Sequence, residues 1–144
     1  RGEVSAKSNS SKQVMDLNVA DEPIETIQTS DEKEEQAILN QQDQAFVEKA
    51  TRLVLSHLSD TDFNIDRLCR EMAMSRTLFY GKLKTLTGQS PQDFMRLIRL
   101  EQAAMFLKQG DSVLDVSVKA GFVNVKYFST VFKKHFGVSP SKYL

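Results

Sequence analysis

The chain has 144 residues, enough for one domain and an appendage, and its six Gly, three Pro and absent Trp favour helices over a turn-rich β fold. Its single cysteine, Cys69, excludes an internal disulfide and a multi-cysteine zinc site, and it fits a reducing compartment. No apolar run approaches the roughly 18–20 residues of a membrane helix, and the stretch from Arg1 lacks the apolar core of a signal peptide.

The net charge of zero hides an asymmetry. Residues 1–44 carry four basic and ten acidic side chains, whereas residues 45–144 carry fifteen basic and nine acidic ones. A basic folded region behind an acidic stretch fits a polyanion-binding domain with a solvated linker. Ordinary surface charge would look similar, so charge alone does not decide.

Residues 1–42 are polar and lack aromatics. They cannot bury enough apolar surface to offset the entropy of ordering. This segment reads as a flexible acidic linker, with a short helix near Glu34–Leu39. From Asp43 the pattern changes. Phe46, Ala50, Leu53, Val54 and Leu58 recur at helical spacing, predicting an amphipathic helix over Asp43–Leu58. Ser59 to Asp62 is a polar break, where Asp60 and Asp62 read as capping groups. Asn64 caps a helix through Ile65, Leu68, Cys69 and Met72. Ser75 caps the next, with Leu78, Phe79, Leu83 and Leu86 on its buried face, and Gly88 stops it.

Ser90 and Pro91 open a long helix to about Gln109, through Phe94, Ile98, Ala103, Met105 and Leu107. Ser112 opens another, with Val113, Val116 and Val118, ending at Gly121. Asn124 or Val125 starts the following one, with Phe128, Val131, Phe132 and Phe136, ending at Gly137. Ser139 and Pro140 begin a short last helix containing Tyr143. The sum is an all-α fold of seven helices.

The segment from Leu83 to Pro91 returns as Phe132 to Pro140 at an offset of 49, with apolar, Lys, Gly, Ser and Pro residues in the same places. Phe79 and Phe128 keep that offset, as do Phe94 and Tyr143. Upstream, Leu68 pairs with Val116, Cys69 with Ser117 and Ala73 with Gly121, at an offset of 48. One residue is therefore inserted between the paired helices of the second copy. Each copy has a short helix with a small residue for close packing, a tight turn, and a second helix with a basic polar face. That is a helix-turn-helix plan, whose second helix can enter a DNA major groove. The copies span about 64–88 and 112–137, and the helix over about 90–109 joins them. That joining helix is about 28 Å long, close to the roughly 34 Å between successive major-groove faces.

Over Phe46–Leu144 these residues resemble the AraC/XylS-type transcription regulators. The most specific match is Ala120-Gly121-Phe122, then Tyr127-Phe128-Ser129, then Phe132 through Tyr143. The first copy matches through Met74-Ser75-Arg76, Tyr80 and Lys82-Leu83-Lys84. The acidic stretch before Phe46 resembles the connection from a receiver domain, as in the C-terminal output domain of hybrid two-component regulators. The resemblance implies a DNA-binding domain over 43–144 that acts as a response-regulator output and transcription activator. It implies double-stranded DNA and RNA polymerase as partners, receiver or kinase modules on the same chain, and a bacterial cytoplasmic setting. It leaves monomer and homodimer open, and it implies no cofactor.

Carried over by position, the resemblance assigns base reading to Arg76, Thr77, Tyr80 and Gly81 in the first motif. In the second it assigns Val125, Lys126, Ser129 and Thr130. Gly81 departs from the long polar side chain common there, and Ala73 replaces a frequent turn Gly. Both departures predict that the second motif carries more of the base-specific contact. Phosphate contacts are expected from Lys82, Lys84, Lys133 and Lys134 by counterion release. Tyr127, and the helix starts at Ser75, Ser90 and Asn124, are expected to contribute too.

Two other classes remain. A helical protein–protein interaction module would explain the repeat without DNA. An enzyme would need a catalytic constellation, and the sequence shows no Walker-type loop, nucleophile elbow or zinc spacing. His57 and His135 have no ligand partner at suitable spacing, and Cys69 has no resolving cysteine.

Overall fold

A computed structural model describes residues 30–144. Most of the expected acidic linker, residues 1–29, lies outside the described residues. The chain divides into two units, residues 1–43 and 44–144. Among the described residues six α-helices and one 3-10 turn occur in order: α1 (Ser30–Ser56), α2 (Ile65–Glu71), α3 (Arg76–Thr87), α4 (Pro91–Lys108), α5 (Val113–Lys119), α6 (Val125–Phe136), then the turn Pro140–Lys142. Among the described residues there is no strand. The fold is all-α, with two helix-turn-helix subdomains joined by the central helix α4.

Helix α1 begins at Ser30, thirteen residues before the expected start at Asp43. Low apolar content excludes a core from residues 30–42, but it does not exclude a solvated helix. This stretch holds three Glu, three Gln and one each of Ala, Leu and Lys, all good helix formers, and it contains no Gly or Pro. Asp31 and Glu32 in its first turn complement the helix dipole. A helix already nucleated adds each further residue at little cost.

Within residues 44–144 there are two cores. The first joins Phe46, Ala50 and Val54 of α1 to Leu68, Cys69, Phe79 and Leu83, and to Phe94, Met95 and Ile98 of α4. The second joins Leu100, Ala103, Ala104 and Leu107 of α4 to Val116, Ala120, Phe122, Phe128 and Phe132. Helix α4 thus lends its first half to one core and its second half to the other. Seven of the nine Phe are buried, and Phe106 and Phe136 are half-buried. Phe79 and Phe128, equivalent in the repeat, are fully buried. Truncating either to Ala should cost about 3–5 kcal/mol.

Three residues placed on buried faces by periodicity are exposed: Leu78 (64%), Met105 (51%) and Val118 (59%). Leu78 sits on the rim of its helix's apolar stripe, Val118 lies roughly 160° around α5 from Val116, and Met105 is in line with Phe94 and Ile98, whereas at its own level α4 packs through Ala103, Ala104 and Leu107.

The expected caps form. Asn64, Ser75, Ser90, Ser112 and Asn124 each accept a bond from the backbone N–H three residues on, at 2.9–3.3 Å. Ser139 is the exception. It makes no side-chain cap bond, and its Oγ lies 3.2 Å from Ser141 Oγ, because the segment it opens is one 3-10 turn. Asp60 does act in the loop after α1. It accepts from Asp62 N–H (2.9 Å) and from Arg67 Nη1 (2.9 Å), and these contacts hold its carboxyl below the usual range.

A buried arginine ties this loop to the second motif. Arg99 on α4 is only 8% exposed. Its Nη1 donates to Leu58 O (2.6 Å) and to Ala120 O (3.1 Å). Burial lowers its pKa, yet a guanidinium stays charged in proteins. Its signal in the sequence is a cation inside the apolar stripe of Met95, Ile98 and Ala103.

Candidate nucleic-acid interface

The repeat is visible bond by bond. In the first motif Met74 N–H donates to Cys69 O (3.0 Å) and Ala73 N–H to Arg70 O (3.0 Å). In the second, Phe122 N–H donates to Ser117 O (2.8 Å) and Gly121 N–H to Val118 O (3.0 Å). The two sets are related by the offset of 48. At the far ends of α3 and α6, Gly88 N–H and Gly137 N–H close onto Lys84 O and Lys133 O, both at 2.8 Å, at the offset of 49. The extra residue falls in the second turn. Two residues separate α2's C-cap Met72 from the cap Ser75, whereas three separate α5's C-cap Ala120 from the cap Asn124.

Both turns require a left-handed backbone. Gly121 has φ +86°, and its counterpart Ala73 has φ +57°, the sole positive φ at a non-Gly residue among those described. Gly121 also has no room for a side chain. An added Cβ would overlap Leu58 O and the Arg99 guanidinium.

The second helix of each motif bears no acidic residue. The short helices before them do, at Asp66 and Glu71 in α2 and Asp115 in α5. On α3, Arg76, Thr77, Tyr80, Gly81 and Lys84 fall within an arc of roughly 140°, whose centre lies roughly 90° from Leu83 and 130° from Phe79. All are exposed except Tyr80, which is half-buried. Lys82 does not join them. It lies on the other flank, with Nζ 4.8 Å from the centre of the Phe46 ring. Lys84 shares the face, but its Nζ also donates to Gly88 O (3.2 Å).

On α6, Lys126, Ser129, Thr130 and Lys133 fall within roughly 100° of arc, with Val125 and Lys134 at its two edges. Lys126, Thr130, Lys133 and Lys134 are exposed, and Ser129 is half-buried. Thr130 Oγ1 donates to Lys126 O (3.0 Å). None of the three lysines makes an ion pair among the described residues. Tyr127 is 50% exposed just beyond the Lys134 edge of that face, with its ring 6.3 Å from Phe122. Gly81 has open space around its absent side chain.

One predicted reader is engaged already. Arg76 Nη1 donates to Asp66 Oδ1 (2.7 Å), and its Nη2 donates to the Tyr80 hydroxyl (2.9 Å). Gln92 Nε2 donates to the same hydroxyl (3.2 Å). Sequence reasoning missed Asp66 and Gln92 here. The signal was present in the repeat, where Asp66 aligns with Leu114 and Arg76 with Val125.

Cys69 and Ser117 fill equivalent buried positions, and Ser117 Oγ donates to Leu114 O (2.7 Å). Burial pushes the Cys69 thiol pKa up. Among the described residues no group of three His, Cys, Asp or Glu side chains could hold a metal ion. Among them, too, no helix is long and apolar enough to cross a membrane.

A family model described as a helix-turn-helix domain matches residues 68–144, more than half of the chain. The chain belongs to the AraC-type helix-turn-helix family of transcription regulators. The C-terminal domain of AraT, a response regulator from Geobacillus stearothermophilus, superposes with a TM-score of 0.62 at 28% identity, over 68% of this chain and 82% of that one. The DNA-binding domain of AdpA, solved in complex with a target DNA, superposes with a TM-score of 0.62 at 28% identity, over 67% of this chain and 87% of that one. A protein named histidine kinase P4, from Formosa agariphila, is 32% identical over 102 residues, which is 70% of this chain and 7% of that protein. The chain spans less than a third of the curated relatives it matches.

Proposed function

We propose that residues 44–144 bind double-stranded DNA in a sequence-specific way and regulate transcription as the output domain of a two-component signalling protein. The observation that carries the DNA reading is the pair of acid-free second helices, each presented behind a matched turn. They hang from the two halves of one 18-residue helix, α4. At about 1.5 Å per residue, α4 is roughly 27 Å long, which suits two reading heads set into successive major grooves. The DNA-bound relative supports the same reading.

Arg76, Thr77, Tyr80, Lys126, Ser129 and Thr130 are the proposed base readers. Lys84, Lys133 and Lys134 are the proposed phosphate partners, with the amides at the starts of α3, α4 and α6. Lys82 contributes through the field alone, since it faces Phe46. Helix α1 is the route by which a module ahead of it on the chain, such as a receiver, reaches the domain. The response-regulator and kinase names among the relatives support that arrangement, as does the acidic stretch before Phe46. RNA polymerase contact and homodimerisation are parts of the same proposal.

The experiment is selection of genomic fragments by the purified chain, followed by footprinting of the enriched site. Two protected segments about one helical turn apart are expected. No enrichment, or a single short protected segment, would contradict the two-headed reading. A protein-interaction module would enrich nothing.

A further inference from the structure

We infer that Asp66 and Tyr80 form a brace that pre-sets Arg76 to read a guanine, making Asp66 a specificity-positioning residue of the first motif. The inference rests on the DNA-binding reading above.

A free arginine side chain has many rotamers, and fixing it for bidentate contact costs conformational entropy. Here the guanidinium is held from two sides. Asp66, on α2, takes one N–H of Nη1 at 2.7 Å, and the Tyr80 hydroxyl, one turn along α3, takes one N–H of Nη2 at 2.9 Å. Arg76 Cζ also lies 5.3 Å from the centre of the Tyr80 ring. Tyr80 is itself anchored by the bond from Gln92 on α4. Helices α2, α3 and α4 are thus linked through the Arg76–Tyr80 pair.

These two bonds leave three of the five guanidinium N–H groups, one on each nitrogen. That is enough for the paired donation that guanine O6 and N7 accept. Tyr80 accepts two bonds in this set, so its own hydroxyl proton can go to a neighbouring acceptor.

The contact does not read as a stability device. Both partners are more than half exposed, at 56% and 55% of their side-chain surface. Exposed pairs of this kind contribute little to folding. A carboxylate on a DNA-facing surface also opposes phosphate binding, so its placement against Arg76 calls for a local benefit. The second motif has no such brace, since Leu114 and Val125 occupy the equivalent positions. The first motif, with Gly81 and Ala73, would otherwise look the weaker reader. The brace gives it one preorganised contact.

The test uses the full chain and the site it selects. Affinities are measured for that site and its single-base variants with wild type, Asp66→Asn, Arg76→Ala and the double variant, alongside thermal melting. Arg76→Ala should lose roughly five- to a hundredfold of discrimination at one G·C pair. Asp66→Asn should lose roughly three- to tenfold at the same pair. It should leave the melting temperature and non-specific affinity unchanged, or raise the latter slightly. In the double variant Asp66→Asn should add nothing further at that pair. A uniform gain of affinity for all sequences by Asp66→Asn, with discrimination intact, would show a merely repulsive carboxylate and overturn the inference. So would a large loss of melting temperature, or an Arg76→Ala variant that loses discrimination at no G·C pair. A wild-type chain that selects no site would overturn the DNA-binding reading itself, and the inference with it.

Discussion

The two motif turns ask the same of the backbone but meet different surroundings. Replacing Gly121 by Ala places a Cβ on a residue at φ +86°. A side chain in that region costs roughly 1–2 kcal/mol. The same Cβ would overlap Leu58 O and the Arg99 guanidinium, and the Leu58 carbonyl belongs to backbone that cannot swing aside. Arg99 would have to move, disturbing its bonds to Leu58 O and Ala120 O. Each bond to a charged donor is worth about 1.5–3 kcal/mol. A total loss on the order of 4–8 kcal/mol follows if both bonds go, a large part of the roughly 5–15 kcal/mol typical of a domain. Ala73→Gly runs the other way. It removes the strain at φ +57° and returns about 0.4–1 kcal/mol of chain entropy to the unfolded state. A net gain of about 0.5–1 kcal/mol is expected. Denaturant unfolding followed by circular dichroism, with unchanged slopes, measures both. A Gly121→Ala variant within about 1 kcal/mol of wild type would refute the reasoning, and so would a destabilised Ala73→Gly.

Other consequences concern the reading faces and the core. Lys126 and Lys133 share one face of α6 but lie two turns apart. Lys126→Ala should relax specificity at particular base pairs by about 1–3 kcal/mol, while Lys133→Ala should weaken all sequences alike. Matching binding profiles for the two variants across single-base substitutions would contradict that division. Cys69 is buried with a raised thiol pKa, so at pH 8 the native chain should react with a thiol reagent on the order of 100-fold more slowly than the unfolded chain. Equal rates would show that the first core opens readily.

Much of the fold was legible because the repeat printed it twice. Paired Phe79 and Phe128, and the Gly-x-Ser-Pro ends of both motifs, fixed the helices and their stops. The caps at Asn64, Ser75, Ser90 and Ser112 followed from residue type alone. The start of α1 was legible only in part: a short helix near Glu34–Leu39 was expected and lies within α1, but not its continuity with the helix from Asp43, since a low apolar content describes a missing core and says nothing against a solvated helix. Leu78, Met105 and Val118 are apolar yet exposed, and apolar character alone does not say which side of a helix meets a core at that level. At the candidate interface, family position pointed to Arg76 and Lys126, and the structure put both on exposed faces of helices that carry no acidic residue. It set Lys82 on the other flank of α3, beside the Phe46 ring of another helix. Asp66, Gln92 and Arg99 act through tertiary partners 10, 12 and up to 41 residues away in sequence. Local periodicity carries no signal at that range.

The salt dependence of DNA affinity tests the central claim most directly. Lys84, Lys133 and Lys134 are the proposed phosphate partners on the two reading helices. If they replace counterions along the DNA backbone, log affinity should fall linearly against log salt with a slope of about −3. Affinity should then drop on the order of 40-fold between 50 and 200 mM salt, with the selected site remaining tighter than a scrambled one throughout. A flat line, or equal affinity for both sequences at every salt concentration, would contradict a DNA-reading function for these helices.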